Sequence, residues 1–582
     1  MSRPNMTTLP QGVEIVAIFE NINHHLAQGY LLVLLMAAGA TLVYRMMLST
    51  RKRSRLIGSL HGEAHRFFSI PTSNICQNVK YHLLYAPIFR ASQGSYSSPM
   101  SLQALYLSIL LATNAGLCFW DIPFGKPEAL EVLRARSGTI SLANMVPLYI
   151  TTSVKNPLIN LLNISFQNFN FMHRWFGRIV IVEAIFHAGC HLTTVVRRSG
   201  LAAFNKSMST PLIYTGVVGM LAMIVILMQS LSIIRHTFYE AFLYLHIFLA
   251  ITVLVFLWMH LDGFPQRRLL VVCMVLWGVY RLLRVGTLLY RSIGRRTCTA
   301  TIEALPRDSV RISIAIPRPW TYKPGQYVYI TIPSIGLWTA HPFSIAWSDA
   351  PELGLSRQSS LTSQITTNHD LEKAVEPTRP QTFSFVVRAR DGFTKRLLAH
   401  TIKHAPAHLG HRVPVRALIE GPYGLATDLD SYGTILLIAG GVGITHHLGY
   451  IRHLIEGYSN RIVAARQVTL IWVIRREADK DCVGKWMNDI LKLEGRKDVF
   501  RLEIWVTRGT VFESRSPSNS LIVRRGRPDL QHIVSREGDR RLGCMAVSAC
   551  GPGGLVFNAR KAVRRSIKDG RNIDFVKEAF GW

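Results

Sequence analysis

Four histidines lie in two apolar stretches of this 582-residue chain, His173 and His187 in one, His246 and His260 in the other. The members of each pair stand 14 residues apart. On a helix that is almost four turns, so the two rings return to within about 40° of one face, roughly 21 Å apart along the axis. If the two helices face each other, His173 meets His246 and His187 meets His260. An imidazole in hydrocarbon is costly and marks function by default. This register would hold two haems stacked across a membrane, each iron between two imidazoles. Any one of these histidines taken alone fits an ordinary interhelical hydrogen bond or a snorkelling ring as well; the doubled register is what sets the four apart. His191 and His236 have no partner at that spacing.

The elements that must carry these rings are read from hydropathy. The chain is 49% hydrophobic with a mean hydropathy of +0.20, and its apolar residues gather in the first half. Stretches long enough to cross about 30 Å of hydrocarbon are expected at Gly29–Leu48, Pro99–Phe119, Gly138–Val154, His173–Val195, Pro211–Ile234, Phe242–His260 and Leu269–Tyr290. Asn144 and Pro147 interrupt the third. The net charge is +31. Its arginines are spread along the chain rather than gathered in a recognisable nucleic-acid-binding motif, so a nucleic-acid partner is not expected. Attraction to anionic lipid and to phosphorylated cofactors accounts for part of the excess. Arg51, Lys52, Arg53 and Arg55 follow the first span, and Arg291, Arg295 and Arg296 follow the last. The positive-inside rule then places both of these ends in the cytosol and the N-terminus outside, with Arg197 and Arg198 against the trend. No cleavable signal peptide is expected. Asn5 and Asn205 lie in glycosylation sequons on the expected outer side, Asn163 on the inner. Eight cysteines show no paired or metal-binding spacing.

After a basic linker, Arg291–Thr297, the period changes to two, with strands expected at Ser309–Ile316, Tyr327–Ile332, Phe383–Arg388 and Val413–Ile419. These read as a small antiparallel barrel. From Thr434 onward, apolar runs at Ile435–Ala439, Val468–Ile474, Leu502–Val506 and Met545–Ala549 alternate with helical segments, which reads as a parallel α/β sheet. The polar stretch Asp349–Pro380 and the basic stretch Ser514–Arg541 are expected to be mobile insertions. The expected organisation is an N-terminal segment over 1–137, a haem-binding membrane domain over 138–290, a barrel over 297–425 and a nucleotide-binding α/β domain over 430–582.

Within that frame, Gly440-Gly441-Val442-Gly443-Ile444-Thr445 joins a strand to a helix, offering unpaired amides and the positive helix end to a pyrophosphate. Arg475 and Arg476 end the next strand, where an arginine can hold a 2′-phosphate and favour NADPH; a solvated basic loop fits almost equally. His341-Pro342-Phe343-Ser344-Ile345-Ala346, Gly392-Phe393-Thr394 and Cys550-Gly551-Pro552-Gly553 are each weak signals alone. The first reads equally as a turn with a buried Phe, and Cys550 as a small buried residue.

In this order, from about Gly138 to Trp582, the segments resemble the ferric reductase and NADPH oxidase family of membrane flavocytochromes. The resemblance implies that His173/His246 bind an inner b-type haem and His187/His260 an outer one. It implies that the segment at His341, Pro342, Phe343 and Ser344, together with Gly392 and Thr394, meets FAD. It places Gly440, Gly441, Gly443, Thr445 and Arg475 at the nicotinamide nucleotide, and Cys550, Gly551 and Pro552 near the nicotinamide. The C-terminal Glu578-Ala579-Phe580-Gly581-Trp582 resembles a family tail whose aromatic covers the flavin, with Phe580 the better match. Arg174 and Arg178 serve equally as haem-propionate partners or as plain positive-inside residues. The HRWFGR segment, the equal spacings of 14 and the HPFSIA wording look more like fungal ferric-chelate reductases than superoxide-forming oxidases. The implied activity is transfer of electrons from cytosolic NADPH through FAD and two haems to external ferric or cupric chelates at the plasma membrane. Oxygen reduction to superoxide is the alternative, and an iron oxidase–permease is a partner the family suggests. A transporter or receptor with a nucleotide-sensing tail, the reading from another class, would have no haem absorbance.

Overall fold

A computed structural model of the chain describes residues 11–60, 74–87, 100–294, 298–306, 308–336, 339–349, 381–405, 412–509, 513–516 and 520–578. The chain forms two compact units, one of Met1–Met46 with Leu105–Arg284, the other of Met47–Ala104 with Val285–Trp582.

The first unit is helical. Its elements are α1 (Gln11–Leu60, whose last turns belong to the second unit), α2 (Ser101–Phe119), α3 (Ala129–Ile150), α4 (Phe166–Ser207), α5 (Pro211–Gln229), α6 (Tyr239–His260) and α7 (Arg267–Ser292). Among the described residues six of these, all but α3, are long and apolar enough to cross a membrane, and the chain is an integral multi-pass membrane protein. The expected third span is the exception because α3, 22 residues long, starts at Ala129 and is polar where it is most buried. Arg136, Ser137, Ser141 and Asn144 on it are all buried, facing other helices rather than lipid. Around α3 the core is built from Leu142 and Met145, Val180 and Ile181 of α4, Met223 of α5, Val253 and Leu254 of α6, and Leu270 of α7. Many apolar side chains on the outer helix faces are exposed, as expected of surfaces that meet acyl chains. Gly200, at φ 78°, breaks α4 near its C-terminal end.

The second unit begins its antiparallel part with β1 (Thr299–Leu305), β2 (Ser309–Ala315), β3 (Tyr327–Thr331), β4 (His341–Ser344), β5 (Trp347–Ser348) and β6 (Thr382–Arg388). After α8 (Phe393–His404) come β7 (Arg412–Arg416) and β8 (Leu418–Tyr423). The strands lie in two sheets, ordered β5-β6-β2-β1-β7 and β4-β3-β8, which share one core containing Ile302, Ile312, Ile330, Phe385 and Ile419. The single strand expected over Val413–Ile419 is therefore two. The chain leaves one sheet at Ala417 and enters the other, a corner that a period-two pattern cannot show.

The α/β part holds β9 (Thr434–Gly440), α9 (Ile444–Ser459), β10 (Gln467–Ile474), α10 (Gly484–Leu491), β11 (Phe500–Val506), β12 (Ser514–Arg515), β13 (Leu521–Arg525), α11 (Leu530–Asp539), β14 (Met545–Cys550), α12 (Gly553–Lys568) and β15 (Ile573–Glu578). All seven residues of β9 are buried, as a central parallel strand requires. Ile435 and Leu437 pack toward α9 and α10, Leu436 and Ile438 toward α11 and α12. The sheet order β12-β13-β11-β10-β9-β14-β15 reverses direction at β9, the place where open α/β sheets bind ligands. Ser514–Arg541 is not the mobile insertion that its charge suggests. It contributes β12, β13 and α11, because Leu530, Ile533, Val534 and Glu537 recur at helical spacing and are all buried. The other expected insertion, Asp349–Pro380, lies outside the described residues except for Asp349.

Residues 47–60 and 74–87 were not expected to join this module. Near the end of α1, Arg55 bonds to Ser431 Oγ at 2.7 Å and its guanidinium lies 4.3 Å from the Tyr432 ring. Lys80 pairs with Asp574 at 2.7 Å, and the Phe575 N–H donates to Tyr85 Oη at 2.9 Å along the sheet edge. Tyr432 Oη donates to the same Asp574 carboxylate at 2.8 Å.

Candidate redox site

The histidines meet as the spacing predicts. The rings of His173 and His246 have centroids 6.2 Å apart, and so do those of His187 and His260. An imidazole nitrogen binds a first-row metal at about 2.0 Å and the ring centre lies roughly an ångström behind it, so two imidazoles in trans hold their centroids about 6 Å apart. In three of the rings Nδ1 meets a backbone carbonyl. His187 Nδ1 lies 2.7 Å from Arg134 O, His260 Nδ1 2.8 Å from Leu212 O, and His173 Nδ1 3.3 Å from Leu148 O. A carbonyl at Nδ1 selects the tautomer whose Nε2 lone pair is free for a metal, as ligating histidines require. His246 Nδ1 is buried and has no partner among the described residues. Two glycines make room for the rings. A Cβ on Gly138 would stand 2.7 Å from His187 Nδ1, and one on Gly216 would stand 2.8 Å from the His260 ring. The donor set therefore fits two bis-imidazole haems. His191 instead lies 3.2 Å from an Arg134 guanidinium nitrogen. Arg178 stacks on Trp175 at 4.5 Å.

In the second unit a cleft of about 1820 Å³ runs from the antiparallel sheets to the end of β9. Pro342, Phe343, Ser344, Thr394, Gly440, Gly441, Gly443, Thr445, Arg475, Cys550, Gly551 and Pro552 all line it. Two expected contacts do not. His341 stacks on Phe393 with centroids 4.2 Å apart, and Gly392 sits behind Thr394 as the residue before α8. At φ 57° and ψ −127° Gly392 has a backbone that glycine alone adopts readily, so its role here is the turn. Phe580 and Trp582 lie outside the described residues.

The glycine turns touch because β9 and β14 are parallel neighbours, with Cys550 beside Ala439. A Cβ on Gly440 would stand 2.6 Å from Pro552 Cδ, and one on Gly443 would stand 2.5 Å from Cys550 O. Trp472 Nε1 donates to Gly441 O at 3.0 Å, and Thr445 Oγ1 to Val442 O at 2.9 Å. The turn is thus held from both sides with its amides at the start of α9, a cradle suited to a pyrophosphate. Cys550 is 2% exposed, which suits a wall rather than a nucleophile. Sequence reading missed Arg388, Arg390, Arg527, Arg560 and Arg564, which line the same cleft and add to its positive field, and Pro87, which reaches it from the segment after α1. Their only signal was the unexplained excess of charge.

At the start of α9, His446 and His447 are buried, with His447 Nε2 hydrogen-bonded to Ser548 Oγ at 3.1 Å. Burial pushes His446 down to about 3 and His447 well below the ordinary imidazole range. The unfolded chain takes up these protons near pH 6.5 whereas the folded module refuses them, so stability is lost as pH falls from about 6.5 toward 3. Each ring costs up to about 1.4 kcal/mol per pH unit in that window. The melting temperature of the full-length protein in detergent is expected to drop by several degrees between about pH 7 and about pH 5, and His446→Gln to shrink that drop. A flat profile would contradict the burial argument.

Fold and site together define a multi-pass membrane protein joined to a flavin- and nicotinamide-binding reductase module. Three family models match in succession: the ferric reductase like transmembrane component at residues 137–257, an FAD-binding domain at 295–427 and the ferric reductase NAD binding domain at 432–564. The chain belongs to the ferric reductase family. It is 24% identical to ferric reductase transmembrane component 6 of Saccharomyces cerevisiae, over 78% of this chain and 61% of that one. It is also 24% identical to ferric/cupric reductase transmembrane component 2 of Schizosaccharomyces pombe, over 76% and 80%. The chain spans about 61% of the length of three of the Saccharomyces relatives that it matches. An Amycolatopsis cytochrome P450 reductase aligns with 49% of this chain and 70% of its own at 20% identity, with a TM-score of 0.31.

Proposed function

We propose that this protein passes electrons from cytosolic NADPH across the membrane to external ferric chelates, and to cupric chelates of similar access. The observation that carries the reading is the pair of facing imidazole couples at 6.2 Å, four turns apart on α4 and α6. When bound, FAD supplies the conversion of a two-electron hydride into single electrons, and two b-type haems supply the one-electron stations between the faces.

The protein's own part is placement. The turn Gly440–Gly443 and the arginines of the cleft hold the dinucleotide phosphates, with Arg475 and Arg527 at the end where a 2′-phosphate would distinguish NADPH. Ser344 of β4 and Thr394 of α8 line the same space, together with Cys550 and Pro552. His173 and His246 would hold the inner haem, His187 and His260 the outer one. Backbone carbonyls fix three of the four tautomers. The basic ends of α1 and α7 support a cytosolic reductase module and an external N-terminus, and the family likeness suggests the plasma membrane.

The test is a reduced-minus-oxidised spectrum of the purified full-length protein, followed by ferric-chelate reduction with NADPH or NADH, each with and without superoxide dismutase. A b-type spectrum and chelate reduction insensitive to the dismutase are expected, with NADPH preferred. A colourless protein would overturn the reading, and dismutase-sensitive reduction would move the acceptor to oxygen.

A further inference from the structure

Glu183 sits inside the membrane unit, 6% exposed, on α4 one helical turn before His187. An intramembrane carboxyl is expensive and points to function. Asn144 Nδ2 donates to its Oε2 at 3.0 Å, and the Cys118 thiol lies 3.9 Å from Oε1. Neither partner carries a positive charge. Asn144 also donates to Asn114 Oδ1 at 2.6 Å and accepts from Tyr30 Oη at 2.8 Å, so α1, α2, α3 and α4 all contribute to one buried polar cluster. Two turns earlier on α3, buried Arg136 bonds to Asn23 Oδ1, to Leu117 O at 3.2 Å and to Trp120 O at 3.0 Å. Trp120 is 68% exposed, so this polar column comes to the surface at the α2–α3 connection. That is also the end where Arg134 O meets His187.

The titratable groups around the carboxyl are Tyr30 on α1, Tyr106 and Cys118 on α2 and Arg136 on α3, with Arg134 farther along α3 beside His187 and His191. Of these, Arg136 and Arg134 are cations, and both are already engaged by carbonyls or a ring. A lone carboxylate in hydrocarbon is tolerated only while a positive charge stands near it. A porphyrin core with ferric iron carries one net positive charge and with ferrous iron none. The compensation available to Glu183 therefore changes by one charge as an electron comes and goes about one helical turn away.

We propose that Glu183 is a proton-loading site coupled to the His187/His260 pair. One proton from water at the α2–α3 end joins a Glu183 oxygen as one electron arrives from the flavin. The O–H bond breaks and the proton returns when that electron leaves to the ferric chelate. The inference rests on the two-haem reading of the function.

The test is a spectroelectrochemical titration of the full-length, haem-loaded protein from about pH 6 to about pH 8. The midpoint potential of one haem is expected to fall as pH rises, and Glu183→Gln, with its haem content intact, is expected to lose that dependence while the other haem is unchanged. A pH-independent midpoint in the unaltered protein, or an undiminished dependence in the variant, would overturn the proposal. Should the variant fail to fold, reduction-induced infrared difference spectra of the unaltered protein decide. A protonated-carboxyl band appearing on reduction supports the site, and its absence rejects it. A protein without haem absorbance defeats this inference and the reading beneath it together; coloured protein with flat midpoints defeats this inference alone.

Discussion

His246→Ala is expected to abolish electron transfer across the membrane while sparing NADPH oxidation by soluble dyes. Its ring centroid stands 6.2 Å from that of His173 and its buried Nδ1 is unpartnered among the described residues, so the lost group has no structural hydrogen bond to confuse the result. Removing an outer-shell partner of a metal ligand already costs 10–100-fold in affinity or activity, and removing the ligand itself should exceed about a hundred-fold in ferric-chelate reduction. The cleft of the second unit contains no part of α6, so dye reduction should stay within about two-fold, well under the 1.4 kcal/mol that a tenfold change represents. Haem content measured by difference spectroscopy checks the assignment. A full haem complement in the purified variant would remove His246 from the ligand set.

Gly443→Ala is expected to act at the opposite end of the electron path, with NADPH oxidation lost by roughly a hundred-fold or more and haem content unchanged. The new methyl would stand 2.5 Å from Cys550 O and 2.9 Å from Cys550 C, both backbone atoms of a buried strand end that cannot swing aside. Overpacking of this kind costs about 1–3 kcal/mol. The relief available is to part β14 from the glycine turn, which moves the nucleotide cradle relative to the flavin side. A displacement of about 1 Å at a reacting geometry costs about a hundred-fold. Steady-state dye reduction at saturating NADPH separates this from simple weak binding. Recovery of the normal maximal rate at high NADPH would show that the turn affects affinity alone.

Much of the architecture is local and therefore legible in residue order. The repeat of 14 in His173/His187 and His246/His260 carried the helix pairing, because a helical face is a matter of period. The unbroken apolar run of β9 and the glycines after it marked the parallel sheet and its turn for the same reason. The failures were of another kind. Ser514–Arg541 looked like a charged insertion because its apolar residues are few, and Leu530, Ile533 and Val534 become significant only against α12 and the sheet. Val413–Ile419 looked like one strand because a corner between two sheets leaves no break in alternation. Arg388 and Arg527 were indistinguishable from surface charge until folding brought them to the cleft.

What residue order determined here is which segments cross hydrocarbon, which carry paired imidazoles and where a glycine turn opens a helix, since each depends on neighbours within a few turns. Only the tertiary structure decided that Arg134 O and Leu212 O hold two of those rings. It alone decided that Gly138 and Gly216 clear space for them, and that Glu183 joins Asn144 and Cys118 in one buried cluster. Such contacts depend on the packing of helices far apart in sequence, and no local periodicity encodes which carbonyl, hydrogen atom or carboxyl a packed neighbour will present.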